Sequence, residues 1–182
     1  YIVNFNKIHN PILLSLYHTS IKQPEPLSKC VFLFRIIEYA FHNLEIFGYN
    51  YSYSKKGKKI NQYKEYINYM IGKSLNYKYI PIPIRKHLDE NKIENQVTIW
   101  KRTVKQYIKQ LEKKGEDVGE KVYKYGRCGI AHGGNKDDII LHNYGTSYFE
   151  IIKINKILEL ICRYIIEYTN PKIKQSVRIR FK

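Results

Sequence analysis

The chain has 182 residues, 43% of them hydrophobic, which suits one domain with its own core. Its 32 Lys and Arg outnumber its 16 Asp and Glu, a formal net charge of +16, and a field of that size draws in phosphate backbones. No run of about 18 apolar residues or secretory signal pattern is present, and the three cysteines are far apart with no Cys/His cluster at zinc spacing, which excludes a membrane span and a zinc-ligand motif from the sequence reading.

Lys, Ile, Asn and Tyr are abundant together, as they are in proteins of A/T-rich genomes. The basic excess therefore reads either as a solvated surface of such a genome or as a nucleic-acid footprint. Cys30, Cys128 and Cys162 read as reduced, mostly buried thiols of a cytoplasmic protein. The chain opens on Tyr1 rather than Met, which reads as trimming or as a piece of a longer protein.

Residues 1–27 form an N-terminal extension, with scattered apolar residues followed by Gln23-Pro-Glu-Pro26. The prolines predict an extended link, and the part before them is either a short helix or a strand packed on the domain. From Ser28, read as an N-cap, to Gly48, read as a stop, almost every residue is apolar, which predicts a helix buried on most of its circumference. One polar stripe survives at Arg35, Glu38, His42 and Glu45, at spacings of 3, 4 and 3. It is either a solvated ion-pair ladder or a face turned toward the functional residues further along.

Tyr49, Tyr51 and Tyr53 with the lysines around Gly57 make a polar loop, either solvated or suited to RNA by charge and stacking. A second helix is predicted over 61–76, with Tyr63, Ile67, Met70, Ile71 and Leu75 at helical spacing. The alternating prolines of 79–84 predict an extended segment, and 85–95 a short polar helix.

Residues 98–114 predict an amphipathic helix with Val104, Tyr107, Ile108 and Leu111 on its core face. Lys101, Arg102, Lys105, Lys109, Lys113 and Lys114 make its other face basic, either solvated or, for the first four, RNA-binding. The short break from Gly115 to Gly119 predicts that this helix and the next pack as an antiparallel pair.

The next helix, predicted over 118–125, runs into Arg127-Cys-Gly-Ile-Ala-His132 and then Gly133-Gly134, a helix stop. A histidine in the last helical turn is favoured as imidazolium by the helix dipole. With an arginine nearby it has the chemistry to hold and cleave a phosphodiester. On an ideal helix, however, five positions put the two side chains about 140° apart. They converge only if the helix is distorted, as Gly126 and Gly129 allow, or if a second copy faces the first across a dimer.

A final helix is predicted from Thr146 or Ser147 to about Tyr168. Its expected core is Phe149, Ile152, Ile154, Ile157, Leu158, Ile161, Ile165 and Ile166, with Asn170-Pro171 as its stop. Residues 171–182 are a basic tail. His142 is a second candidate histidine; the others read as surface or structural. Four or five main helices give an all-α helical bundle spanning 28–170.

An Arg-x4-His at the end of a helix, followed by glycine, resembles the signature of the HEPN superfamily. The aromatic-rich helix running into RCGIAHG is similar to the Apea-like and MauJ-like kinds. The resemblance implies an all-α fold and, in many members, a metal-independent ribonuclease without a cofactor. It implies that Arg127 and His132 are catalytic, that Glu38 on the early helix orients one of them, and that cleavage leaves a 2′,3′-cyclic phosphate. It implies an RNA substrate, a homodimer, and service in defence with an antitoxin or sensor partner. Two departures stand out. Cys128 follows the Arg where active members often carry Asn, Asp or His. Gly134 stands where some toxins carry a tyrosine that is modified to silence them. A non-catalytic RNA- or nucleotide-binding domain of the same family is one alternative. The other is an interaction domain in which Arg127 pairs with a carboxylate and His132 caps its helix.

Overall fold

The computed structural model describes residues 10–43, 59–79, 96–128 and 146–170. These residues form an all-α bundle: α1 (Pro11–Lys22), α2 (Pro26–His42), α3 (Lys59–Asn76), α4 (Gln96–Lys113), α5 (Val118–Tyr123), a π-helical turn (Lys124–Cys128) and α6 (Thr146–Thr169). Of the extended segment expected over 79–84 only Tyr79 is described, and the polar loop before α3, the short helix of 85–95 and the basic tail lie outside the described residues.

Alpha-helix 6 is the organising element. It packs most extensively on α2 and also touches α1, α3 and α4. Ile151, Ile154, Leu158, Ile161 and Ile165 repeat at three and four positions and are fully buried, as that spacing on one face requires. Two of the expected core residues are not buried. Phe149 is 55% exposed and Ile152 38%. They fall beside the buried stripe rather than on it, and the stripe's first member is Ile151.

Alpha-helix 2 is buried along Leu27, Cys30, Leu33, Phe34, Ile36, Ile37, Ala40 and Phe41, as expected of a helix with so little polar surface. Its start differs from the expected Ser28. The N-cap is Glu25, whose carboxylate accepts a hydrogen bond from the Ser28 amide at 2.7 Å. Pro26 stands at the first helical position, where its missing N–H costs nothing. The helix ends at His42 with Asn43 as C-cap, before Gly48. Alpha-helix 1 begins the same way, with Asn10 as cap and Pro11 behind it, and buries Leu13 against this core.

The antiparallel pairing expected of α4 and α5 is not what forms. Gly115 does end the α4 segment, with φ at +70°. The main partner of α5 is instead α3. Gly119 is the reason: a Cβ there would lie 2.4 Å from the Lys64 carbonyl oxygen, so only a bare backbone permits this approach.

The two cysteines whose side chains are described are both buried. Burial pushes the Cys30 thiol up to about 12 and raises that of Cys162, which donates to the Leu33 carbonyl at 3.2 Å. Both are inert thiols inside the α2–α6 seam.

Candidate functional site

The segment leading to Arg127 is fixed by polar contacts at its start and by rings at its end. Asp117 caps α5, accepting from the Glu120 amide at 2.8 Å. The Asn68 side chain on α3 accepts from the Gly119 amide at 2.9 Å and donates to the Asp117 carboxylate at 3.2 Å. Lys64 lies 3.6 Å from Asp117 and 3.5 Å from Glu120, completing the α3 side of this clamp.

At the other end, Tyr123 lies among aromatic rings of two helices, 6.4 Å from Phe34 of α2 and 5.3 Å from Tyr63 of α3. Tyr63 stacks on Phe41 at 4.3 Å, and its hydroxyl meets His42 Nε2 at 3.0 Å. Gly126 then presses on Phe34: a Cβ there would sit 2.9 Å from the ring. The backbone of Arg127 therefore follows directly on a contact with the core.

The winding changes here. The predicted helix of 118–125 is α-helical only to Tyr123, and Lys124–Cys128 is wound as a π-helix. This segment carries the Arg127 backbone. The Arg127 side chain, His132, the Gly133-Gly134 stop and His142 lie outside the described residues, and so does the meeting of Arg127 with His132.

Glu38 is half-buried on α2, one turn beyond Phe34, and so belongs to the helix that receives Gly126. Of its stripe, Arg35 lies over the Phe32 ring at 5.6 Å and His42 bonds to Tyr63, while Glu45 lies outside the described residues.

A charged network joins α4, α5 and α6 beside the π turn, and the sequence reading missed it. Tyr107 of α4 donates a short hydrogen bond to Glu150 of α6. Lys121 of α5 pairs with Glu116 and lies 3.6 Å from Glu150, with Tyr125 of the π turn under its ammonium at 5.7 Å. Burial raises the Glu150 carboxyl. The Tyr107 and Lys153 hydrogen bonds and the Lys121 charge outweigh it, and the group ends below the usual carboxylate value. A depressed carboxyl contributes stability above its unfolded pKa, and that contribution is lost as pH falls through the folded value. Thermal unfolding followed from neutral pH down through pH 4 should show a steeper loss for the native chain than for Glu150→Gln. Parallel curves would remove Glu150 from the acid response.

The basic residues of α4 divide into two sets. Arg102, Lys105 and Lys109 are exposed on one face. Lys101 is half-buried at the edge of the core, where its ammonium donates to the Tyr77 carbonyl at 2.6 Å and lies 5.2 Å over the Tyr79 ring. Desolvation, then the neighbouring Lys105 charge, lowers its pKa.

The sequence reading also missed Asn68, and it took Gly119 only as the end of a break between helices. Only an isolated glycine one position inside a capped helix hinted at the close approach. Among the described residues no group of three or more His, Cys, Asp or Glu side chains is placed to hold a metal ion, and no helix is long and apolar enough to cross a membrane. No family model matches the chain, and no match to it was found among curated proteins or solved structures.

Proposed function

We propose that the chain is a metal-independent endoribonuclease of the HEPN kind, with Arg127 and His132 as its catalytic pair. The winding of the backbone at Arg127 supports this reading. Two side chains five positions apart diverge by about 140° in α-helical winding. Hydrogen bonds in a π-helix run from i to i+5, so its turn is wider. The described turn ends at Cys128; were the same winding continued, a residue five positions beyond Arg127 would return toward the same side. The chain reaches Arg127 already wound in this way. Single π turns inside helices are also frequent at functional sites.

In the proposed reaction Arg127 holds the scissile phosphate and stabilises the charge that builds on its oxygens. His132 serves as general acid or base on the 2′-hydroxyl or the leaving oxygen. The 2′-oxygen attacks the adjacent phosphorus and the 5′-oxygen departs with a proton, leaving a 2′,3′-cyclic phosphate. The nucleophile is internal to RNA, so the reaction needs no metal and spares DNA. Glu38 would orient one member of the pair from α2. A homodimer would bring two copies of the pair together, and an antitoxin or sensor partner would hold the activity in check, as a defence role requires.

Cys128 favours a second reading, in which the domain binds RNA or nucleotide without cutting, because a thiol stands where active members often carry a polar side chain. The test is cleavage of labelled RNA in excess EDTA by the native chain, Arg127→Ala and His132→Ala. The native chain should cut to cyclic-phosphate ends, and each variant should lose about 100-fold or more in rate while staying folded. Equal inertness of all three on several RNAs would leave the binding reading standing in place of the nuclease.

A further inference from the structure

Away from the motif, charge and aromatic rings meet along one face of α4. Thr98, Lys101, Arg102, Lys105, Gln106 and Lys109 line a groove of about 440 Å³. They fall at positions i, i+3, i+4, i+7, i+8 and i+11, a stripe about 16 Å long on the side opposite Val104 and Leu111. Its acid-free lining gives it one sign of charge.

One lining residue, Lys101, connects the groove to a row of tyrosines. It meets Tyr77 and Tyr79, which follow α3, through the carbonyl and ring contacts described above. Tyr77 packs edge-on against Tyr164 of α6 at 5.1 Å, and Tyr164 lies 5.5 Å from Tyr168. Tyr77 is half-buried and Tyr168 is 43% exposed, so this row of rings reaches the surface. Arg163 lies over both Tyr79 and Trp100, at 5.5 and 6.0 Å, tying α6 to α4.

We propose that this face of α4 and the adjoining tyrosine row bind single-stranded RNA. Arg102, Lys105 and Lys109 take the phosphates, Lys101 holds the tyrosines in place, and Tyr168 offers its ring to an unstacked base. Phosphate charge and stacking are the two contributions by which single strands are held without sequence readout. A duplex would satisfy the charges but hide its base faces from the tyrosine. An acidic protein segment would satisfy the charges and leave the ring without a planar partner. The choice of RNA rests on the nuclease reading, of which this would be the substrate-holding surface.

The experiment measures binding of the full chain to a labelled 2′-O-methyl single-stranded RNA by fluorescence anisotropy across a salt series. The methyl group blocks the attacking oxygen, so binding is read whether or not the chain cuts RNA. Lys105→Glu with Lys109→Glu should weaken binding at least tenfold and reduce the salt slope by about 1.4, roughly 0.7 for each single-strand phosphate that is no longer neutralised. Both residues are exposed, and Lys105→Gln with Lys109→Gln guards against a folding artefact. The control Lys22→Glu reverses one charge at an exposed site on α1 and should change affinity by no more than about twofold. Tyr168→Ala should weaken the single strand by about fivefold, at the low end of base stacking, and leave its duplex unaffected. A loss on Lys22→Glu equal to that on Lys105→Glu alone, tighter binding of the duplex, or equal displacement of the RNA by polyglutamate at matched charge would overturn the proposal. Loss of groove binding in a chain that still cleaves RNA defeats this inference alone. Groove binding in a chain that never cleaves defeats the nuclease alone.

Discussion

Gly119→Ala should destabilise the fold by about 3 kcal/mol, from overpacking and a weakened hydrogen bond together. The added methyl would lie 2.4 Å from the Lys64 carbonyl oxygen and 2.9 Å from the Asn68 carboxamide. The carbonyl belongs to the backbone of α3 and cannot rotate away, so α5 must shift as a unit. That shift strains the 2.9 Å bond from the Gly119 amide to Asn68 and the Asn68–Asp117 contact with it. The helix-propensity gain of alanine over glycine, about 1 kcal/mol, offsets only part of this. Gly72 gives the opposite sign. Its added methyl would meet nothing within 4 Å, and the residue is exposed inside α3. Gly72→Ala should therefore stabilise by about 0.5–1 kcal/mol. Urea unfolding of both variants measures the contrast. A neutral Gly119→Ala would mean that α5 is not held against α3 as described.

Arg163→Ala should be comparably severe, costing about 3–5 kcal/mol. Arg163 Nε donates to Glu167 at 2.7 Å, and both side chains are nearly buried, 12% and 8% exposed. Removing the guanidinium leaves a carboxylate inside the protein without that partner and takes the flat cation away from Tyr79 and Trp100. The pair itself contributes less than its loss costs, because both charges were desolvated to make it. Arg163→Met with Glu167→Leu should consequently recover most of the stability that Arg163→Ala loses. Thermal unfolding of the three chains tests the argument. A double variant as unstable as Arg163→Ala would show that the pair holds the α6–α4 border by more than charge compensation.

The legible parts of the fold were those set by local spacing. Helix 4 was expected over 98–114 and found over Gln96–Lys113; the final helix was expected from Thr146 or Ser147 to about Tyr168 and runs over Thr146–Thr169. Apolar residues at three and four positions have one low-energy arrangement, and glycine or asparagine marks its end. Partner choice was less legible. Pairing α5 with α4 followed from the short connection, whereas pairing it with α3 depends on a missing Cβ and an asparagine 51 residues away. Buried charge was also hidden. Glu159 and Glu167 look like surface residues of α6, yet both are buried, held by Lys29 and Arg163. At the candidate site, the motif left a distorted helix or a facing second copy open, and a π turn carries the Arg127 backbone. The contact of Gly126 with Phe34 comes from tertiary packing that no local pattern encodes.

The dominance of the α2–α6 seam has a bearing on synthesis. Cys162 and Leu33, which touch across it, are 129 residues apart in the chain, and about 100 residues separate the end of α2 from the start of α6. At typical translation rates of about 5–20 residues per second, α2 waits roughly 5–20 s for the helix that covers it. During that interval Leu33, Ile36 and Ile37 have no α6 to bury them. The nascent chain therefore offers an apolar helix to chaperones before the bundle closes.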